Sequence, residues 1–198
     1  PGGECLQNAA ARGGAKPYGI AFSPAGDRLA VGYDDAVAVD LLDAASLERL
    51  GSADVSRLSG GDLSSVAFLA PNRPGQPAEM SQVAAGGRYH DGTKCPIFVW
   101  ENAGTGPRAT WPGLENTVMD LAALPDGALA FGAYDPAFGQ IDAAGDCRLF
   151  RGPAIADLRG NVGECFTLSA DGRRLRCGLV PKNRKPVLFD LVARLLSD

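Results

Sequence analysis

The chain has 198 residues, 45% of them apolar, enough for a sizeable core in one domain. Its net charge of −4 argues against bulk attraction to nucleic acid or an anionic membrane, and no apolar run approaches the ~20 residues a membrane span needs. The five cysteines, Cys5, Cys95, Cys147, Cys165 and Cys177, are odd in number and form no CxxC pair, which favours free thiols in a reducing cytosol over a secreted disulfide framework.

The chain opens at Pro1 rather than Met and shows no charged-then-apolar signal segment, so it reads as a processed product or an excerpt. Residues 1–16 are rich in Gly and Ala with one weak strand candidate, Glu4–Asn8. Residues 1–17 are therefore expected to be a leader, or a strand belonging to a neighbouring unit. The next stretch, residues 18–40, reads YGIAFSPAGDRLAVGYDDAVAVD. It holds a short apolar strand, a Pro-Ala-Gly-Asp turn, a second strand ending near a glycine, a polar loop, and a third strand ending in an acid. Asp43–Leu50 is the best helical candidate in the chain and is too short to stand on its own.

The same template returns three times. From Ser65 it reads SVAFLAP and, after the insertion Ala70–Ser81 with its three prolines, resumes as QVAAGGRYHDGTKCPIFVWE. From Met119 it reads MDLAALPDGALAFGAYDPAFGQID, and from Glu164 ECFTLSADGRRLRCGLVPKNRKPVLFD. First-strand anchors Phe22, Phe68, Ala123 and Leu168 are spaced 46, 55 and 45 apart. Second-strand glycines Gly32, Gly86, Gly132 and Gly178 are spaced 54, 46 and 46 apart. The third strands are expected to end at Val39-Asp40, Trp100-Glu101, Ile141-Asp142 and Phe189-Asp190, each a large apolar residue followed by an acid. A period of this length with several short strands per unit predicts an all-β β-propeller of four antiparallel four-stranded blades, at about 18–57, 58–114, 115–160 and 161–198. In each turn Pro presets φ, Asp bonds its own backbone and Gly permits positive φ, while the strand glycine permits close approach of neighbours.

The stretch AFSPAGDRLAVGYDD is similar to the first hairpin of WD repeats, and Trp100-Glu101 stands where that family has its Trp-Asp pair. No Gly-His dipeptide opens a blade, and only one blade carries the tryptophan. The resemblance implies a ring of about seven blades, of which these four are a part, although a closed four-bladed ring is the alternative. It also suggests the C-terminal part of a bacterial-type multidomain signalling protein. An open ring needs its end blades covered, by a second copy or by another fragment of the parent.

The loops between second and third strands lie at one end of every blade. They contain Tyr33, Asp34 and Asp35; Arg88, Tyr89 and His90; Tyr134 and Asp135; and Lys182, Arg184 and Lys185. Tyr and Arg are enriched in binding hot spots, and loops on a rigid scaffold commonly carry function. These eleven residues are the candidate partner-binding face. Residues 173–194 carry seven basic residues against Asp190, a local +6 that leaves −10 on the rest of the chain. Without interleaved aromatics this reads as strand charge that guards against aggregation, not as a nucleic-acid site. His90 is the lone histidine, so a zinc site finds too few ligands in the sequence, a pair with Cys95 would need a proximity that sequence does not show, and an exposed loop histidine is expected. No nucleophile elbow, phosphate loop or HExxH motif is present. The expectation is a non-catalytic, cytoplasmic protein-binding scaffold or sensor without cofactor or metal, binding a protein partner and neither nucleic acid nor membrane. The alternatives are a small-ligand or hydrolytic propeller with an axial site, and a purely structural segment that completes a propeller in trans.

Overall fold

The computed structural model describes residues 5, 7–71, 77, 80–134, 137–151, 156–157, 167–179 and 187–190. They form antiparallel sheets in which strands pair in chain order, as expected where short turns join neighbouring strands. The first sheet is β1 (Pro17–Phe22), β2 (Arg28–Tyr33), β3 (Val39–Asp43) and β4 (Arg49–Ser52). The second is β5 (Ser65–Leu69), β6 (Gln82–Gly86), β7 (Cys95–Trp100) and β8 (Arg108–Leu114). The third is β9 (Val118–Ala123), β10 (Leu129–Ala133), β11 (Ala137–Ile141) and β12 (Cys147–Arg151). Each is a four-stranded meander, the blade the repeat predicts.

The fourth sheet departs from the template. Its first-strand position holds two pieces, β13 (Ala156–Asp157) and β14 (Thr167–Leu168), which pair with successive stretches of β15 (Arg174–Leu179). β16 (Val187–Asp190) pairs with β15 as the third strand. Ala156–Asp157 thus belongs to the fourth sheet, although it precedes the repeat boundary read at residue 160. Asp43–Leu50 is not helical. Asp43 ends β3, and its carboxylate accepts the N–H groups of Ala45 (3.1 Å) and Ser46 (2.7 Å), closing a tight turn into β4.

Strand register aligns the blades residue by residue. Phe22, Leu29 and Leu42 lie side by side in the first blade, and Phe68, Val83 and Trp100 in the second. Ala123, Leu129 and Ile141 follow in the third, and Leu168, Leu175 and Phe189 in the fourth. The first-strand anchors and the four glycines therefore occupy equivalent positions. The third-strand ends need one correction. The counterpart of Trp100-Glu101 in the first blade is Leu42-Asp43, not Val39-Asp40, because β3 continues through Asp43, which pairs with Arg28. Asp40 is instead a buried acid in the middle of a strand.

Alternation sends each strand's residues to two faces, and the facing sides of successive blades pack on one another. Ala30, Val39 and Leu41 of the first blade meet Val66, Phe68, Val83, Phe98 and Trp100 of the second. On its other face the second blade packs Ala84, Ile97 and Val99 against Leu121, Leu129, Phe131 and Ile141 of the third. The third packs Ala130 and Phe138 against Leu175 of the fourth. Each fully buried Leu, Val or Phe contributes about 1.5–3 kcal/mol, so the stack holds by hydrophobic burial. The turn expectation also holds: Gly26, Gly127 and Gly172 take φ of 75°, 84° and 68°. Gly32 allows a close approach of the next blade. A Cβ there would overlap the carbonyl oxygen of Leu63 and lie 2.9 Å from that of Ser64, on the segment entering the next blade.

Candidate functional site

The loops after β2, β6 and β10 gather at one end of the first three blades, where an equivalent main-chain hydrogen bond recurs in each. The residues entering each blade supply a carbonyl to the loop beyond its second strand: Lys16 to the N–H of Asp34 (2.9 Å), Asp62 to that of Tyr89 (3.1 Å), and Thr117 to that of Tyr134 (2.9 Å). These acceptors lie at one equivalent position, six residues before the anchors Phe22, Phe68 and Ala123. The loops are thus pinned to the scaffold by peptide groups, and their side chains are left to differ.

Arg88 stands at the centre of the described part of this face. Its guanidinium meets the fully buried carboxylate of Asp62, lies 3.5 Å from the Asp34 carboxylate, and donates to the Asp34 carbonyl oxygen. It therefore ties the first blade's loop to the second blade, and these anions raise its pKa further above its ordinary value. The Asp62 carboxylate also accepts the N–H groups of Ser64 and Arg88, both at 3.2 Å. Asp35 is exposed and accepts the N–H groups of Ala15 (3.0 Å) and Lys16 (3.1 Å), holding the leader. Tyr89 is half-buried with its ring edge-on to Phe98, centroids 5.3 Å apart. His90 is exposed, and its Nδ1 accepts the N–H of Gly92 (3.0 Å). Asp91 closes that loop by accepting the N–H groups of Thr93 and Lys94, which pulls its pKa down to about 2. Tyr134 is 50% exposed.

Tyr33 corrects the expectation of a displayed tyrosine. It is 1% exposed, because alternation along β2 puts it on the same face as Leu29 and Val31. Its hydroxyl donates to the buried carboxylate of Asp40 (2.6 Å), which also accepts from the Gly13 N–H (2.8 Å) and the Arg49 Nε (2.9 Å). Burial and the neighbouring anion raise the phenol's pKa. Tyr33 thus anchors the leader over the first blade and does not face solvent. Asp135, Lys182, Arg184 and Lys185 lie outside the described residues. The structure brings Asp34 and Arg88 into contact and leaves Asp35, Arg88, His90 and Tyr134 exposed on the loop ends.

Asp62 and Arg49 are polar residues that pattern reading missed, and Asp40 it read only as a strand end. Their signal was faint: an acid six residues before a first-strand anchor, and an acid inside an apolar run. Among the described residues no group of three or more His, Cys, Asp or Glu could hold a metal ion, and no helix is long and apolar enough to cross a membrane. Among the described residues, Cys5, Cys95 and Cys147 are in no disulfide. Cys165 lies outside the described residues.

No family model matches the chain, and no curated protein matches its sequence. Solved structures share its fold. Hydrazine synthase of Kuenenia stuttgartiensis superposes with a TM-score of 0.67 at 15% identity, over 95% of this chain and 49% of that one. U3-55K gives 0.64 at 19% identity, over 87% and 45%. The WD40 repeats of RRP9 give 0.60 at 20% identity, over 86% and 48%. The fold is a WD40-type β-propeller, and this chain spans about half the length of these structures.

Proposed function

We propose that the chain is a non-catalytic protein-binding module, a scaffold or sensor within a larger cytoplasmic protein of bacterial type. It presents one end of its blades to a protein partner. The observation that carries this reading is the cross-blade clamp of Arg88 on Asp62 and Asp34, on the same end as the main-chain-pinned loops that leave Asp35, His90 and Tyr134 exposed. Preorganised loops lose little entropy on binding, and tyrosine and arginine are the residue types enriched in binding hot spots. Tyr89 supports the face from beneath, and Tyr33 serves it only by holding the leader. Asp135, Lys182, Arg184 and Lys185 stay in the proposed partner-binding set by their sequence position in the repeat alone.

WD40-type folds among the similar structures support a protein-interaction propeller in general. The likeness to hydrazine synthase is one of fold at 15% identity and brings no chemistry to this chain. The test uses the full chain as immobilised bait, with captured proteins identified by mass. His90→Ala with Tyr134→Ala should leave the melting temperature unchanged and remove the specific captures. Unchanged capture by the folded double variant would place the binding face elsewhere.

A further inference from the structure

Asp-Gly occurs three times in the chain, as Asp91-Gly92, Asp126-Gly127 and Asp171-Gly172. Glycine carries no side chain to shield its nitrogen, so in each pair that nitrogen can reach the aspartate's own Cγ and close a five-membered imide. The three aspartates are held alike: Oδ1 accepts the N–H two residues on, from Thr93 (2.8 Å), Ala128 (3.0 Å) and Arg173 (3.0 Å). What separates them is the partner of the glycine N–H. Gly127 donates to the Leu124 carbonyl (3.0 Å) and Gly172 to the Ser169 carbonyl (2.8 Å), so both nitrogens are tied to peptide oxygens. Gly92 donates to the Nδ1 of His90 (3.0 Å). A peptide oxygen is too weak a base to take that proton, whereas a neutral imidazole is the side chain suited to it near neutral pH.

The electrophile differs too. Thr93 Oγ1 and the Lys94 N–H join the Thr93 N–H on Asp91 Oδ1, all at 2.8 Å. Among the described residues, Asp126 Oδ1 accepts one such bond and Asp171 Oδ1 two. Negative charge gathers on Oδ1 as the nitrogen adds to Cγ. Three aimed donors therefore stabilise the addition state more than the carboxylate, in which two oxygens share the charge. Residues 90–94 are exposed, so water has access to both ends of the reaction.

We propose that Asp91-Gly92 is a self-modifying site, at which His90 acts as the base that converts Asp91 to isoaspartate through a cyclic imide. The Gly92 nitrogen bonds to Asp91 Cγ and passes its proton to His90 Nδ1. The Cγ–Oδ2 bond breaks and Oδ2 leaves as water, with one proton returned by the imidazolium and one taken from solvent. Water then adds to the imide carbonyl on the Cα side and breaks its bond to the Gly92 nitrogen. That step restores the N–H, releases a proton and leaves the chain joined through Cβ and Cγ.

The isomer adds one carbon to the main chain and moves the carboxylate onto Cα, away from the donors of Thr93 and Lys94 that shape this loop. The loop also carries His90 of the proposed partner-binding face, so capture of a partner should decay as the isomer accumulates. That consequence alone rests on the binding reading; the chemistry does not.

The test holds the purified full chain at neutral pH and follows isoaspartate at residues 91, 126 and 171 by peptide mass spectrometry with electron-transfer fragmentation. In the folded chain it is expected to form at residue 91 about tenfold or more faster than at the other two. His90→Asn, which keeps an acceptor where Nδ1 stood but no base, should bring residue 91 down to their rate without changing the melting temperature. In denaturant the three sites, each followed by glycine, should react alike. Equal rates at the three sites of the folded chain would overturn the proposal. So would a preference for residue 91 that survives His90→Asn, or one that persists undiminished in denaturant. Isomerisation that follows the expected pattern while capture stays constant supports the proposal and counts against the binding face instead.

Discussion

The guanidinium of Arg108 lies 5.2 Å over the ring of Phe98, at the register position where Arg49 meets Asp40 one blade earlier. One geometry is thus built twice, once as a cation–π contact and once as an ion pair. In the second blade Tyr89 completes it through a ring contact, and in the first Tyr33 completes it through a hydroxyl.

That polar version makes Asp40 the most consequential acid for the leader. Asp40→Ala strands a buried phenol and the Gly13 N–H and frees Arg49. The expected loss is about 2–4 kcal/mol, given the solvent access of Arg49. Tyr33→Phe removes one bond to a charged group and should cost about 1–3 kcal/mol. Chemical denaturation measures both, and limited proteolysis should show Asp40→Ala cut first within residues 9–15.

Gly32 and Gly86 occupy one repeat position but meet different neighbours. A Cβ at Gly32 strikes main-chain carbonyls of Leu63 and Ser64, which cannot move without breaking the connector. At Gly86 it meets the Val118 side chain at 3.0 Å, which has some room to shift. Gly32→Ala should therefore cost about 1–3 kcal/mol and Gly86→Ala less, as compared by thermal melts of the two variants.

Arg88→Ala leaves the Asp62 carboxylate buried without its cation. Because Arg88 is half exposed, the expected cost is about 1–3 kcal/mol rather than that of a fully buried pair. A double-mutant cycle with Asp62→Asn should return a coupling energy of about 1 kcal/mol or more. A coupling near zero would mean that the clamp contributes nothing.

Asp120 predicts the pH response. Burial raises its pKa to about 6, so the folded chain holds a proton there that the unfolded chain releases near its ordinary value of 3.8. Between these values the folded state binds more protons, and stability from this residue falls as pH rises from about 4 to about 6. Asp120→Asn should flatten that part of the profile and raise the melting temperature at pH 7. Asp91 acts with the opposite sign: its lowered pKa makes a stabilising contribution that is present above 3.8 and lost as pH falls through about 2.

The blade pattern could be read from the chain because turn chemistry and strand alternation are local. Phe22, Phe68, Ala123 and Leu168 fall into register, as do the glycines three residues beyond Leu29, Val83, Leu129 and Leu175. Where two acids flank one apolar run, as in Val39–Asp43, composition could not say which ends the strand, since pairing with Arg28 decides it. Tyr33 was misplaced for a different reason. Loop adjacency suggested the rim, while the period of two through Leu29 and Val31 already pointed inward. The clamp of Arg88 on Asp62 joins residues far apart in sequence and leaves no local trace. The split first strand of the fourth sheet likewise depends on pairing between distant segments.

The main-chain bonds from Lys16, Asp62 and Thr117 have an evolutionary consequence. A carbonyl is present at every position and an amide N–H at every position except proline, so the joints that pin one end of the first three blades survive any non-proline substitution of the residues that form them. Selection on those joints acts on spacing rather than identity. The repeats can then drift apart until a sequence profile no longer recognises them, while the sheets keep their stacking.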